Sequence, residues 1–253
     1  MTQIARTQAL QAHFEPAHAT LDEAEKLLQP DWTRAHIRYC LERGRVYNSS
    51  GHVDAARSLF LDAWELTISC QCEDALAIDA AHMIAIVEPP SKQLDWNLQA
   101  LAMAERSSDE KAKRWKASLY NNIGWTYHDQ GEYEKALDCF QKALAERQAQ
   151  KSEAEIRIAR WCVARTLRSL NRIDESLAMQ QALLADFEAS GEKDGFVNEE
   201  IAECLLLQGR QKESMPHFAR AYELLSKDIW LARNEAARLE RLLNLSEGNF
   251  PTN

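Results

Sequence analysis

The sequence predicts an all-α repeat protein, and three observations predict it. The 253 residues include only 8 glycines and 6 prolines, while long stretches are rich in Ala, Leu, Glu, Gln and Arg, the better helix formers. No run alternates β-branched and polar residues as a half-buried strand would. Small residues recur at a near-constant interval: Gly44, Ala85, Gly124, Ala164 and Ala202 stand 41, 39, 40 and 38 residues apart. Such a period, with two helices in each unit, specifies antiparallel helix pairs stacked into a solenoid.

Residues 1–30 read as two N-terminal helices, over 2–14 and 17–29, parted at Glu15-Pro16 and stopped at Pro30. A divergent first hairpin is one arrangement expected of them. Five helix pairs follow over 31–225. Seven residues after most of the first small residues comes a turn residue, Gly51, Gly131, Asn171 or Gly209, where a positive φ is expected because Gly and Asn adopt it cheaply. The second helix then carries a small residue (Ala56, Ala136, Ser176, Ser214), an aromatic (Phe60, Phe140, Phe218) and a late alanine (Ala63, Ala104, Ala143, Ala221). The small residues belong where paired helix axes come closest, and the aromatics fill the space to the next pair. The pair near Ile78 is the most degenerate, with Pro89-Pro90 in its turn and Asn97 at the small position. In the pair near Arg157, Gln180 replaces the aromatic and Leu183 the alanine. Residues 226–246 predict one amphipathic helix with Ile229, Ala232, Ala236, Leu239, Leu242 and Leu243 along one stripe. Its expected role is to cap the last apolar face. Residues 247–253 are expected to be a frayed tail.

The stretch from Ala117 to Leu144 resembles a tetratricopeptide repeat (TPR), whose pattern is W-x2-L-G-x2-Y followed by A-x3-F. Tyr120 stands at the Trp, Ile123-Gly124 at the Leu-Gly, Tyr127 at the Tyr, Ala136 at the Ala and Phe140 at the Phe. The pair from Ile37 keeps Gly44, Tyr47, Ala56, Phe60 and Ala63, and the pair near Gly195 keeps Ala202, Phe218 and Ala221. The period near 40 exceeds the usual length of about 34 residues, so both helices should be longer by about one turn. Long-helix repeats of this kind are similar to those of kinesin light chains and of Rap-type peptide-sensing regulators. The resemblance implies a right-handed superhelical solenoid that binds a protein or peptide in its concave groove.

Composition narrows the function further. Acidic residues number 39 and basic residues 30, giving a net charge of −9, which repels a phosphate backbone and argues against nucleic acid as partner. The N-terminus lacks the apolar core of a signal peptide, and no stretch approaches the roughly 20 apolar residues of a membrane span. The six cysteines fall mostly on helix faces that read as buried, which suits reduced thiols and a cytoplasmic location. Cys70-Gln-Cys72 lacks a second Cys or His pair at metal-binding spacing, so it reads as two thiols at a helix end rather than a metal site. No phosphate-cradling loop, HExxH or GxSxG occurs. His36, His52 and His128 have no carboxylate or Cys partner at a useful spacing, and His82 is expected to face the degenerate turn. The chain therefore reads as a non-enzymatic binding protein without cofactor or metal.

Candidate binding residues lie on the first helix of each pair. Asn121 and Asn122 precede Gly124, and Trp125 and His128 follow it one turn apart. The corresponding inner positions hold Arg38, Leu41, Arg45 and Asn48 in the first pair, Trp161, Arg165 and Arg168 in the fourth, and Glu199 and Glu203 in the fifth. An Asn amide can donate to and accept from a peptide backbone. Arg165 and Arg168, three residues apart, can converge on a carboxylate or phosphate, so a partner with an acidic feature is expected there. Trp125 and Trp161 offer flat apolar surfaces. The Lys, Asn, Asn, Lys, Arg set by which some TPR proteins clamp C-terminal carboxylates is not matched, since Leu41 and Arg45 occupy the first two positions. Two other expectations stand beside a monomeric or weakly dimeric adaptor. One is a Rap-type peptide-responsive sensor; the other is a scaffold that self-assembles through its end helices.

Overall fold

The computed structural model describes residues 1–70 and 74–250, and all their regular structure is helical. In chain order the helices are α1 Thr2–Leu10, α2 Phe14–Lys26, α3 Thr33–Ser49, α4 Val53–Cys70, α5 Asp74–Val87, α6 Pro90–Arg106, α7 Glu110–Lys113 and α8 Lys116–Asp129. They continue as α9 Tyr133–Gln150, α10 Glu153–Ser169, α11 Ile173–Ala189, α12 Gly195–Leu207, α13 Gln211–Leu225, α14 Ile229–Asn234 and α15 Ala236–Ser246. The chain divides into two compact units, Met1–Asp129 and Gln130–Asn253. No helix among the described residues is long and apolar enough to cross a membrane.

In the first unit α1 packs on α2, both pack on α3, and the antiparallel pairs α3–α4 and α5–α6 stack side by side, followed by α8 against α6. Helices α3 and α4 run 17 and 18 residues, close to five turns each, as the long period requires. Gly44 lets them approach: a Cβ there would sit 2.8 Å from Phe60 Cδ1. Phe60, Ile37 and Ile84 are fully buried at the centre of this core, with Leu41 beside them.

The second unit repeats the scheme with α10–α11 and α12–α13, and α15 packs on α13. Ser176 takes the small position of α11 and donates its hydroxyl to the Ala164 carbonyl of α10 at 2.7 Å, a contact that holds two backbones at close range. Gly195 plays a similar part against α13, since a Cβ there would lie 2.7 Å from Leu225 Cγ. The expected repeat positions are buried throughout, from Ala85, Ala164 and Ala202 to Phe140, Gln180 and Phe218. The four turn residues Gly51, Gly131, Asn171 and Gly209 all have positive φ, between 59° and 86°.

Several boundaries differ from the sequence reading. The first two helices part at Gln11–His13, not at Glu15-Pro16. Pro16 instead occupies the first turn of α2, where a missing N–H costs no helical bond. The C-terminal segment is two helices, not one, and the break falls at Glu235, whose φ of −127° leaves the helical region. Asp228 nucleates α14 by accepting from the Trp230 and Leu231 amides at 2.8 and 3.0 Å. The chain then turns at Gly248, and Phe250 packs against the α13–α15 core where a frayed tail was expected. Residues 251–253 lie outside the described residues.

Cys40, Cys139, Cys162 and Cys204 are free thiols. The remainder of the Cys70-Gln-Cys72 motif lies outside the described residues.

Candidate functional site

The first-helix positions do not form an open polar surface; most of their charges are paired across neighbouring helices. In the first unit Arg45 donates to Glu42 at 2.9 Å and also pairs with Asp79 of α5. Glu42 is nearly buried and takes a further contact from Arg6 at 3.3 Å. Asn122, on α8, lies 3.3 Å from His82 Nδ1, and the His82 ring packs on Trp115. His82 therefore meets α8 and its surroundings rather than the degenerate turn, and burial lowers its pKa. Asn121 is half-buried beside it on α8. Trp125 and His128 do come together, with ring centroids 5.2 Å apart in an edge-on arrangement. Leu41, expected on the inner face, belongs to the core.

In the second unit Arg165 and Arg168 converge on a carboxylate, as their spacing suggested, but the carboxylate is Glu200 of α12. Arg165 Nη1 lies 2.5 Å from Glu200 Oε1, and Arg168 donates to both oxygens at 2.7 and 3.0 Å. Burial would lower the Arg168 pKa, but the bond to Glu200 and the charges of Glu200 and Glu203 together outweigh it, so the guanidinium stays charged. Glu199 and Glu203 are likewise engaged within the chain. Arg238 holds Glu199 through two bonds of 2.9 and 2.5 Å, and Arg241 holds Glu203. These pairs fasten α15 to α12. The signal, Glu199 and Glu203 four apart facing Arg238 and Arg241 three apart, spans 38 or 39 residues of sequence, beyond what local spacing reveals.

Trp161 lines an apolar pocket of about 250 Å³ with Ile158, Phe187, Phe196 and Val197, and Arg157 and Asp194 at its edge. The Trp161 and Phe196 rings meet edge-on at 6.2 Å. Each aromatic wall is backed by a guanidinium: Arg165 lies 5.9 Å from the Trp161 ring, Arg238 5.4 Å from Phe196 and Arg157 4.5 Å from Phe187. Those arginines are themselves held by Glu200, Glu199 and Glu192, so the walls are preorganised. Ile158 is 60% exposed and Phe196 37%, so the apolar lining is accessible from outside. The sequence reading identified Trp161 alone here. Ile158, three residues earlier on the same helix face, was the available clue to the rest.

Arg38 differs from the other predicted arginines: it is exposed and makes no ion pair among the described residues.

The profile of the tetratricopeptide repeat family matches residues 117–148. No curated protein sequence matches the chain. Among solved structures, the chain is similar to a STAND signal-transduction ATPase with a tetratricopeptide repeat sensor from Pyrococcus horikoshii. The TM-score is 0.72 at 13% identity, covering 95% of this chain and 38% of that one. It is similar to the apo form of RapI at a TM-score of 0.70 and 16% identity, covering 91% of this chain and 64% of that one. BtubC from P. vanneervenii gives a TM-score of 0.65 at 16% identity, with 96% and 94% covered. The fold is thus the all-α, TPR-like solenoid, with a tetratricopeptide repeat at 117–148. This fold supports protein-interaction scaffolds in general.

Proposed function

We propose that the chain is a protein- or peptide-binding adaptor that works by recognition through a preformed surface, without covalent chemistry. The observation that carries this reading is the pocket around Trp161. It is apolar, aromatic-walled and open, and its volume of about 250 Å³ suits one bulky side chain of a partner segment. The surrounding arginines are already neutralised by internal carboxylates, so the pocket selects for apolar bulk rather than for charge.

The reading is tested by panning a random dodecapeptide library over the full chain and over Ile158→Glu. Ile158 is exposed enough for the charge to leave the fold intact. Peptides selected by the unaltered chain should share a Leu, Phe, Trp or Met, and should bind Ile158→Glu about tenfold more weakly, equivalent to about 1.4 kcal/mol. Selected peptides with no apolar preference, or with equal affinity for both proteins, reject the pocket as the binding site.

A further inference from the structure

The arginines of the first helices are quenched one after another by carboxylates of the same chain. Arg43 pairs with Asp22, Arg45 with Glu42 and Asp79, and Arg165 and Arg168 with Glu200. Arg38 is left out of this scheme. It lines an open cleft of about 680 Å³ together with Thr2, Leu28, Asp31, Trp32 and Tyr39. The Trp32 side chain, just before α3, is 52% exposed there. Leu28 and Trp32 supply an apolar wall next to a free guanidinium. Asp31 also makes no ion pair among the described residues.

An isolated exposed cation binds a carboxylate weakly, because water screens the attraction. The same cation beside an apolar wall binds better when the ligand carries apolar surface that displaces that water. The cleft therefore complements a segment with an acid and a bulky apolar group side by side, and not a free anion. We infer that this cleft takes an acidic stretch of an extended peptide. An Asp or Glu carboxylate pairs with Arg38, its apolar neighbour lies on Trp32 and Leu28, and Asp31 accepts a backbone N–H. The inference rests on the peptide-binding reading above and supplies the partner's charge. It also moves the acidic feature away from Arg165 and Arg168, where Glu200 already fills the role. The overall charge of −9 does little against an acidic ligand in the cleft, since repulsion from charges more than about 8 Å away is largely screened at physiological salt.

The test uses the same random dodecapeptide library, panned at physiological salt on the full chain, Arg38→Glu, Arg38→Lys and Trp32→Ala. Circular dichroism confirms that each variant is folded. The unaltered chain should enrich peptides with Asp or Glu next to an aromatic or Leu, and Arg38→Glu should lose that enrichment. Synthetic peptides from the first pool should bind Arg38→Glu about tenfold more weakly and Arg38→Lys within about threefold, with affinity falling as salt rises. Trp32→Ala should weaken them by a similar factor. An unchanged peptide composition with Arg38→Glu overturns the inference. So does a pool with no member that depends on Arg38, or the absence of any selected peptide. Peptides that depend on Ile158 and not on Arg38 reject this cleft and keep the pocket around Trp161; the reverse pattern keeps the cleft and rejects the pocket.

Discussion

Glu200 lies between two arginines of the preceding helix pair, 2.5 Å from Arg165 Nη1 and 2.7 Å from Arg168 Nε. Its side chain is 3% exposed, whereas the arginines are 31% and 20% exposed. A buried acid that accepts three charge-assisted bonds ties α10 to α12 at the level of the inner face. Glu200→Ala should leave two like charges facing each other and lower stability by about 2–4 kcal/mol, measured by urea denaturation. The figure lies at the lower end for a buried pair because both guanidinium groups can reach water. A loss below about 0.5 kcal/mol would mean that the pair behaves like an exposed surface bridge.

Gln180 marks the opposite situation. It is fully buried, and neither end of its amide has a hydrogen-bond partner among the described residues. The same repeat position holds Phe60, Phe140 and Phe218 in other pairs. Burying an unpaired amide is costly, so Gln180→Met, which keeps the volume, should raise stability by about 1–2 kcal/mol. The readout is the urea midpoint at unchanged denaturant slope. A destabilised variant would show that the amide is satisfied in solution.

Gly44 reverses a common rule. Replacing a mid-helix glycine by alanine ordinarily stabilises by roughly 0.5–1 kcal/mol. Here the added methyl meets the Phe60 ring at 2.8 Å, so Gly44→Ala should instead destabilise by about 1–3 kcal/mol through overpacking. Combining it with Phe60→Leu should recover part of the loss, because the clash is between these two side chains. Thermal denaturation of the two single variants and the double variant checks the coupling.

These positions show what was legible. Period and residue size were enough to place Ser176 against Ala164 and a positive φ at Asn171, because each follows from the local geometry of a helix pair; Phe60, expected to fill the space to the next pair, also packs on Gly44 of its own pair. Pairing across the stack was not legible. Arg165 and Arg168 were recognised as a convergent carboxylate site, but the carboxylate proved to be Glu200, 35 and 32 residues away. Glu199 and Glu203 look solvent-facing by spacing alone, and only the placement of Arg238 and Arg241 on α15 shows that they face a helix. The pocket around Trp161 was half visible. Its Phe196 wall comes from the first turn of α12, ahead of the repeat signature at Ala202, where a pattern search has nothing to align.

Stability should fall in mild acid as buried histidines take up protons. His18, His82 and His217 all have pKa values lowered by burial in the fold, with Arg43 adding to the effect at His18. At His82, Asp79 opposes the shift and Arg45 adds to it. A histidine whose folded pKa lies below its unfolded value favours folding above the unfolded pKa, and loses that contribution as pH falls below it. The window therefore opens near the ordinary histidine value of 6.5 and extends downward. The melting temperature should be lower at about pH 5.5 than at about pH 7.5, with at most about 1.4 kcal/mol per group per pH unit. His82→Gln, which retains a polar partner for Asn122, should flatten that slope. An unchanged slope would place the titration elsewhere.

The pairing of α15 with α12 decides between two roles for the C-terminal end. Phe218, Leu225, Leu231, Leu239, Leu242 and Leu245 form one buried cluster, so removing the chain after Ser226 would expose the apolar faces of α12 and α13. If α14 and α15 cap the array, the truncated chain should lose several kcal/mol of stability and aggregate, while the full chain keeps a constant mass with concentration in light scattering. Arg238→Ala with Arg241→Ala offers a gentler version. It leaves the apolar contacts in place but strands Glu199, whose side chain is 10% exposed, and should cost about 2–4 kcal/mol without aggregation. Ile229 and Trp230 remain 68% and 61% exposed on α14, so a role in assembly would show differently. The full chain would then gain mass with concentration, and Trp230→Ala would abolish that gain while leaving the melting temperature unchanged. Stability that survives truncation would exclude the capping role, because a cluster of that size cannot be uncovered without cost.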